Sequence, residues 1–174
     1  MRFDQRRMAR CLPEKHRLDF AYTWRRRERE PMNGSVLIPS LRYRDAPAAI
    51  AWLEQAFGFE RHAVYDGPDG TVAHAELRFG NGLVMLGSAS NESPLRHLYV
   101  TPAEIGGRVT SPLYLIVKDC EQAYTRALAA KAEVMMEIKT MEYGGKAFTV
   151  RDPEGYLWSV GEYSPWGEKE TVTT

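Results

Sequence analysis

Two hairpin sequences decide the fold: Phe79-Gly80-Asn81-Gly82-Leu83-Val84-Met85-Leu86-Gly87 and Arg151-Asp152-Pro153-Glu154-Gly155-Tyr156-Leu157-Trp158-Ser159-Val160-Gly161. The Asn-Gly pair of the first suits a two-residue loop with positive φ, and the Pro and Gly of the second suit a slightly longer turn. The two turns lie 73 residues apart, and an apolar strand follows each one. An aspartate followed by a helical pattern precedes each turn by about 36 residues, Asp45 in the first half and Asp119 in the second. The chain is therefore predicted to be a tandem repeat of one β-α-β-β-β unit.

The predicted elements follow this repeat. In the first half we expect strands at 36–43, 59–65, 71–79 and 83–88, and a helix at 46–57 that Asp45 caps and Gly58 ends. In the second half we expect strands at 111–118, 134–138, 146–151 and 157–163, and a helix at 120–131. The fold class is α+β, with modules at 36–88 and 111–163 forming an open cupped sheet. Residues 89–110 are expected to be a linker or lid, and residues 164–174 a flexible tail.

Charge divides the chain unevenly although its formal net charge is zero. Residues 1–31 hold ten Lys and Arg against five acids, whereas the remainder holds 13 basic and 18 acidic residues and offers no basic surface for nucleic acid. We expect residues 1–35 to be a disordered basic arm, or an extension upstream of a natural start at Met32. Binding of the arm to nucleic acid or to an anionic surface is the less favoured alternative.

Cysteine usage and hydropathy favour a cytoplasmic protein. The two cysteines, Cys11 and Cys120, suggest neither a disulfide framework nor a zinc site, which suits a reducing compartment. The basic start is not followed by the apolar run of a secretory signal, and the apolar runs of the body have the length of buried strands rather than membrane spans. We therefore expect no membrane association.

Two segments resemble a known family. Residues 38–59, which begin Ile38-Pro39-Ser40-Leu41-Arg42-Tyr43-Arg44-Asp45, resemble the first module of the vicinal oxygen chelate superfamily. That superfamily contains glyoxalase I, the bleomycin-resistance proteins, fosfomycin-resistance enzymes and extradiol dioxygenases. Residues 151–158 resemble its closing signature, so that the resemblance covers about residues 36–163. It implies a glyoxalase-like fold cupped around a small ligand, often as a homodimer.

The resemblance also shows where a metal would bind. Metal-dependent members place ligands seven residues before each helix-capping aspartate and four residues after the glycine of each closing hairpin. The matching positions here are Ile38, Pro112, Leu86 and Ser159, of which only Ser159 carries a donor atom. Moving each position by one residue supplies no better set. Because a divalent metal site needs about three protein donors, we expect neither a metal nor another cofactor.

Strand periodicity selects the candidate ligand-binding residues. Alternation places Ser40, Arg42, Tyr114 and Ser159 on the cupped face, while Ala73, Ala75, Leu77 and Phe79 are expected to face a helix. Arg42 is expected to anchor an acidic group of a ligand through charge-assisted hydrogen bonds, the alternative being an ordinary surface arginine.

His74 and Glu76 share one strand face and are the candidate catalytic residues. His74 as a general base oriented by Glu76 is one interpretation, and a two-ligand metal pair is another. A hydrogen-bonded pair without catalytic function is favoured, because two donors do not complete a metal shell and polar pairs are common on strands.

Three functions remain open from the sequence. The first is a homodimer of the glyoxalase and bleomycin-resistance group that sequesters a small organic molecule without a metal. The second is a lyase, isomerase or dioxygenase with relocated metal ligands or a His74 base. The third and weakest is a regulatory or structural interaction module directed by the basic arm.

Overall fold

The computed structural model describes residues 34–166, and residues 37–166 belong to one compact unit. The predicted basic arm lies almost entirely outside the described residues, as does most of the predicted tail. The first module contains β1 (Ser40–Tyr43), α1 (Ala46–Phe57), β2 (Glu60–Asp66), β3 (Val72–Phe79) and β4 (Gly82–Ser88). The second contains β5 (Leu113–Ile116), α2 (Cys120–Ala129), β6 (Glu133–Thr140), β7 (Lys146–Arg151) and β8 (Leu157–Gly161).

Each module forms one four-stranded sheet. The strand orders are β1-β4-β3-β2 and β5-β8-β7-β6, so that β1 and β5 are edge strands. In both sheets the first strand of the module, β1 or β5, pairs in parallel with the last strand, and the remaining pairs are antiparallel. The predicted α+β fold of two βαβββ modules is confirmed.

The helix starts follow the predicted capping. Asp45 Oδ1 accepts a hydrogen bond from the Ala48 amide at 3.0 Å, and Asp119 Oδ1 accepts one from the Gln122 amide at 2.9 Å. These bonds satisfy amides that have no partner inside the helix. Gly58 ends α1 in the left-handed conformation at φ +84°.

The end of α2 differs from the prediction. The helix stops at Ala129 rather than at residue 131, and Lys131 adopts φ +59°. A lysine thus takes the left-handed conformation that the first module gives to a glycine, so the sequence lacks the usual stop signal.

The predicted bounds of four strands, β1, β5, β6 and β8, were wrong by two or more residues at one end or both, and β5 ends at Ile116 instead of residue 118. β1 begins only after Pro39 and β5 only after Pro112, in line with the missing amide of proline. β6 is longer at both ends than the predicted 134–138, and β8 ends at Gly161 instead of residue 163.

The turn of the first hairpin also lies one residue earlier than predicted. It is formed by Gly80-Asn81, with Gly80 at φ +57°, and Gly82 already belongs to β4. A primed turn with glycine in its first position fits the twist of the two strands.

One face of β3 also departs from strict alternation. Ala75 and Leu77 are buried against the core as predicted, but Ala73 is exposed and Val72 is buried in its place. The pairing shifts between Tyr65 and Asp66, which marks a bulge beside Ala73. A bulge inserts one residue and reverses the facing of its neighbours.

The two modules share one hydrophobic core. The buried faces of both sheets contribute to it, and α1 contacts α2 directly. Trp52 Nε1 donates a hydrogen bond to the Ala130 carbonyl at 2.9 Å, and the rings of Phe57 and Trp158 lie 5.5 Å apart between centroids. Within residues 34–166 no helix has the length and hydropathy required to cross a membrane.

Candidate functional site

A cavity of about 500 Å³ lies between the edge strands β1 and β5. Its walls come from β1 and the residues before it, from residues 99–114, and from Tyr156 of the second hairpin. Three predicted ligand-binding residues, Ser40, Arg42 and Tyr114, line it together. This volume is in the range of pockets for small organic molecules.

Arg42 stands in this cavity without an acidic partner among the described residues. It belongs to none of the ion pairs found within residues 34–166, and its guanidinium carbon lies 5.3 Å from the centroid of the Tyr99 ring. A guanidinium above an aromatic face keeps its charge and its N–H donors. The side chain is therefore placed by an aromatic contact and is available to an anion.

The main chain of Arg42 is held from the other module. Tyr156 Oη donates a hydrogen bond to the Arg42 carbonyl at 2.7 Å and accepts one from the Arg42 amide at 3.3 Å. Because β1 is an edge strand, these groups have no strand partner on that side. The closing hairpin of the second module thus fixes the strand that carries Arg42.

Asp152 accepts hydrogen bonds from the side chains and amides that surround the second hairpin. Its carboxylate accepts hydrogen bonds from the Tyr43 hydroxyl at 2.7 Å, from Trp158 Nε1 at 3.2 Å, and from the amides of Glu154 and Tyr156. Burial raises the pKa of Asp152 in spite of these bonds, and burial and the nearby Asp152 raise the pKa of Tyr43 well above its ordinary value.

Glu154 makes a second link between the modules. Its carboxylate accepts hydrogen bonds from the amides of Arg44 and Asp45, each at 2.7 Å, directly before α1. These amides begin the helix of the first module, and the acceptor belongs to the hairpin of the second. Glu154 therefore joins the two halves of the chain directly after β1, although neither it nor Arg44 and Asp45 lines the cavity.

The other side of the cavity holds Tyr114 and Arg108. The Tyr114 hydroxyl donates to the Tyr163 carbonyl at 3.3 Å, and burial raises its pKa. Arg108 donates from Nε to the Ile105 carbonyl at 3.1 Å. Arg108 and Tyr99 were missed by sequence reasoning, because their segment has no periodicity that would assign a face.

Three other predicted site residues lie outside the cavity. His74 Nε2 is 3.2 Å from Glu76 Oε1, and His62 Nε2 is 3.7 Å from Glu76 Oε2, so the predicted pair forms and gains a second imidazole. These residues belong to β2 and β3, away from the β1 edge. Ser159 Oγ lies 3.1 Å from Thr149 Oγ1 on the second sheet. Their catalytic and binding roles stay predictions.

The metal positions of the family do not fit a metal in this chain. Ile38 and Pro112 have no donor side chain. Leu86 was assigned to a metal position on the cupped face, but its side chain is only 2% exposed and packs in the core. Throughout residues 34–166 no three His, Cys, Asp or Glu side chains are grouped to hold a metal ion.

Two βαβββ modules with a cavity between their edge strands β1 and β5 have the architecture of a glyoxalase-like protein. The family model for the Glyoxalase/Bleomycin resistance protein/Dioxygenase superfamily matches residues 35–160, and the chain belongs to that superfamily. It is 33% identical over 129 residues to the uncharacterized protein Mb0911c of Mycobacterium bovis, covering 73% of this chain and 82% of that protein. It is likewise 33% identical over 129 residues to the uncharacterized protein Rv0887c of Mycobacterium tuberculosis, covering 73% of this chain and 74% of that protein.

A solved structure shows the same architecture. TioX from Micromonospora sp. ML1 superposes with a TM-score of 0.57 at 28% sequence identity, covering 75% of this chain and 100% of TioX.

Proposed function

We propose that this protein binds a small organic acid in the cavity between β1 and β5 and does so without the metal site of its family. The observation that carries this proposal is Arg42, which lines a cavity of about 500 Å³, holds its guanidinium beside the Tyr99 ring and has no ion-pair partner among the described residues. A buried or half-buried arginine normally meets an acid, so a ligand carboxylate or phosphate is the natural complement. A protein that binds such a ligand without converting it would act by sequestering it.

The walls of the cavity suit the rest of such a ligand. Most of the lining is aliphatic or aromatic, with Leu41, Val100 and Ile105 among the apolar members. Polar groups are few, which is usual for pockets that take organic molecules. An amphiphilic acid would bury its apolar part here and pair its charge with Arg42.

The predicted homodimer forms part of this proposal. Large side chains are exposed on or beside the open face of the second sheet, with Tyr114 and Tyr163 each 45% exposed and Ile116 36%. Exposed aromatic and aliphatic side chains on one face are typical of an interface, and a second copy is the partner proposed. Light scattering on the full chain should give twice the mass of the single chain, and a monomer at all concentrations would contradict this part.

The test of the binding function is a thermal-shift screen of organic acids, followed by calorimetry of the best one. Removing a guanidinium that pairs with an anion should weaken binding by about 1.5–3 kcal/mol. Arg42→Ala should show this loss, and its melting temperature without ligand should change little, because the lost aromatic contact is worth only about 0.5–1 kcal/mol.

Arg78→Ala is the matched control. Arg78 is an exposed arginine of β3 that pairs with Glu60 at 2.5 Å and does not line the cavity. It should bind the acid like the wild type. Equal affinity of the wild type and Arg42→Ala would refute Arg42 as the anchor, and a large loss of stability in Arg42→Ala without ligand would show a structural role instead.

The absence of a metal has its own test. Protein purified without added metals and dialysed against chelator should contain far less than one divalent ion per chain and should still bind the acid. Retention of about one zinc, iron, nickel or manganese per chain would contradict the proposal, and His74 and Glu76 would then be the first residues to replace.

A further inference from the structure

We propose that the ligand is specifically an aromatic organic acid, a refinement that rests on the proposed function. Its ring would pack against tyrosine and proline walls, and its acidic group would pair with the guanidinium of Arg42, with Arg108 adding to the positive charge around it.

The charge of the cavity selects an anion. Among residues 34–166, two arginines line it, Arg42 and Arg108, and no aspartate or glutamate does. Arg108 commits only its Nε to the protein, which leaves both terminal amino groups without a partner among the described residues. Two unneutralised guanidiniums around one cavity raise the local concentration of anions and disfavour cations.

The tyrosines of the cavity offer rings rather than hydroxyls. The hydroxyls of Tyr114 and Tyr156 already donate to main-chain carbonyls, those of Tyr163 and Arg42. Their rings are thereby fixed in orientation. Tyr99 adds a third ring, which already lies against the Arg42 guanidinium. Fixed aromatic faces favour stacked or edge-to-face partners over flexible chains.

The prolines and the size of the cavity also favour an aromatic acid. Three prolines line the same cavity, namely Pro39, Pro102 and Pro112, and they add rigid flat walls that lose no side-chain entropy on binding. The volume of about 500 Å³ equals that of roughly 17 water molecules in the liquid. An inorganic anion would leave most of this space empty, whereas a fused two-ring acid would occupy much of it.

Three probes that share one skeleton test the inference by calorimetry on the full chain. They are naphthalene carboxylate, the neutral naphthalene methanol, and the saturated decalin carboxylate. The aromatic acid should bind about 2- to 12-fold more tightly than the saturated acid, the value of an aromatic pair beyond its buried area. It should bind about 10- to 150-fold more tightly than the neutral alcohol, the value of a charge-assisted hydrogen bond.

Variants separate the two parts of the recognition. Arg108→Ala should weaken both acids and leave the alcohol unchanged. Tyr99→Leu should reduce the preference for the aromatic acid over the saturated acid, and Tyr99→Leu combined with Tyr114→Leu should abolish it. Arg78→Ala, outside the cavity, should change none of the three affinities.

The outcomes distinguish this inference from the function on which it rests. Equal binding of the aromatic and saturated acids, both weakened by Arg42→Ala, would overturn the aromatic class and leave the anion site intact. Binding of the alcohol as tightly as the acids would overturn the inference and the proposed function together. A preference for the aromatic acid that survives Tyr99→Leu and Tyr114→Leu would show that the rings of the cavity do not cause it.

Discussion

Replacement of Tyr156 with Phe removes a single hydroxyl that joins the two modules. That hydroxyl donates to the Arg42 carbonyl at 2.7 Å and accepts from the Arg42 amide at 3.3 Å. The ring itself packs 5.0 Å from the ring of Tyr43 and should keep its position in the variant. The substitution therefore isolates the hydrogen bonds from the packing.

The expected loss follows from two hydrogen bonds to a half-buried backbone. Each contributes about 0.5–1.5 kcal/mol net, so Tyr156→Phe should lower the free energy of unfolding by about 1–3 kcal/mol. For a chain of 174 residues this corresponds to a fall in melting temperature of about 2–12 °C. The shorter, 2.7 Å bond should account for most of the loss, and water reaching the freed groups would place the result near the lower end.

Urea unfolding followed by tryptophan fluorescence measures this change. Tyr65→Phe is the matched control, because Tyr65 is 60% exposed and its hydroxyl makes no hydrogen bond within residues 34–166. The control should stay within about 0.5 kcal/mol of the wild type. A Tyr156→Phe variant as stable as the control would refute the account in which the second hairpin fixes β1.

Three further predictions concern the buried groups and the arm. Asp152→Asn should lower the free energy of unfolding by about 1–3 kcal/mol at neutral pH, because it leaves buried donors without an acceptor. Since burial raises the pKa of Asp152 in the folded protein, the stability difference between wild type and variant in urea titrations should grow as the pH falls through that pKa and level off below about 3.9. A difference that stays constant or shrinks as the pH falls would contradict this. Burial raises the pKa of Cys120 to about 11, so in a Cys11→Ser variant iodoacetamide at neutral pH should label only urea-unfolded chains, and rapid labelling of native protein would count against it. The composition of residues 1–31 predicts that a chain beginning at Met32 melts at the same temperature as the full chain, and a clearly lower one would disprove this.

The parts of the fold set by local chemistry were predictable. The aspartate caps, the glycine at the end of α1 and the two hairpins each depend on a few neighbouring residues, and all lie close to their predicted places. The errors arose where conformation depends on more distant contacts. Lys131 takes a left-handed conformation without glycine, and the bulge beside Ala73 depends on pairing with β2.

The candidate site was predictable only in part for a related reason. Alternation along a strand assigns a face, and it correctly grouped Ser40 with Arg42. It gives no distance across the sheet, so it could not separate His74, two strands away from β1, from the residues at the edge. The partnership of Tyr156 with Arg42 joins residues 114 positions apart, and no local pattern indicates it.

The central claim is that an organic acid binds at Arg42, in the cavity between β1 and β5. A titration of the isotope-labelled full chain with the best acid from the screen, followed by two-dimensional proton–nitrogen NMR, locates the binding directly. The account predicts that the largest shift changes occur at the amides of Arg42, Arg108 and Tyr114 and disappear in Arg42→Ala. Changes centred instead on His74 and Glu76 would contradict it and would move the ligand to the open face of the first sheet.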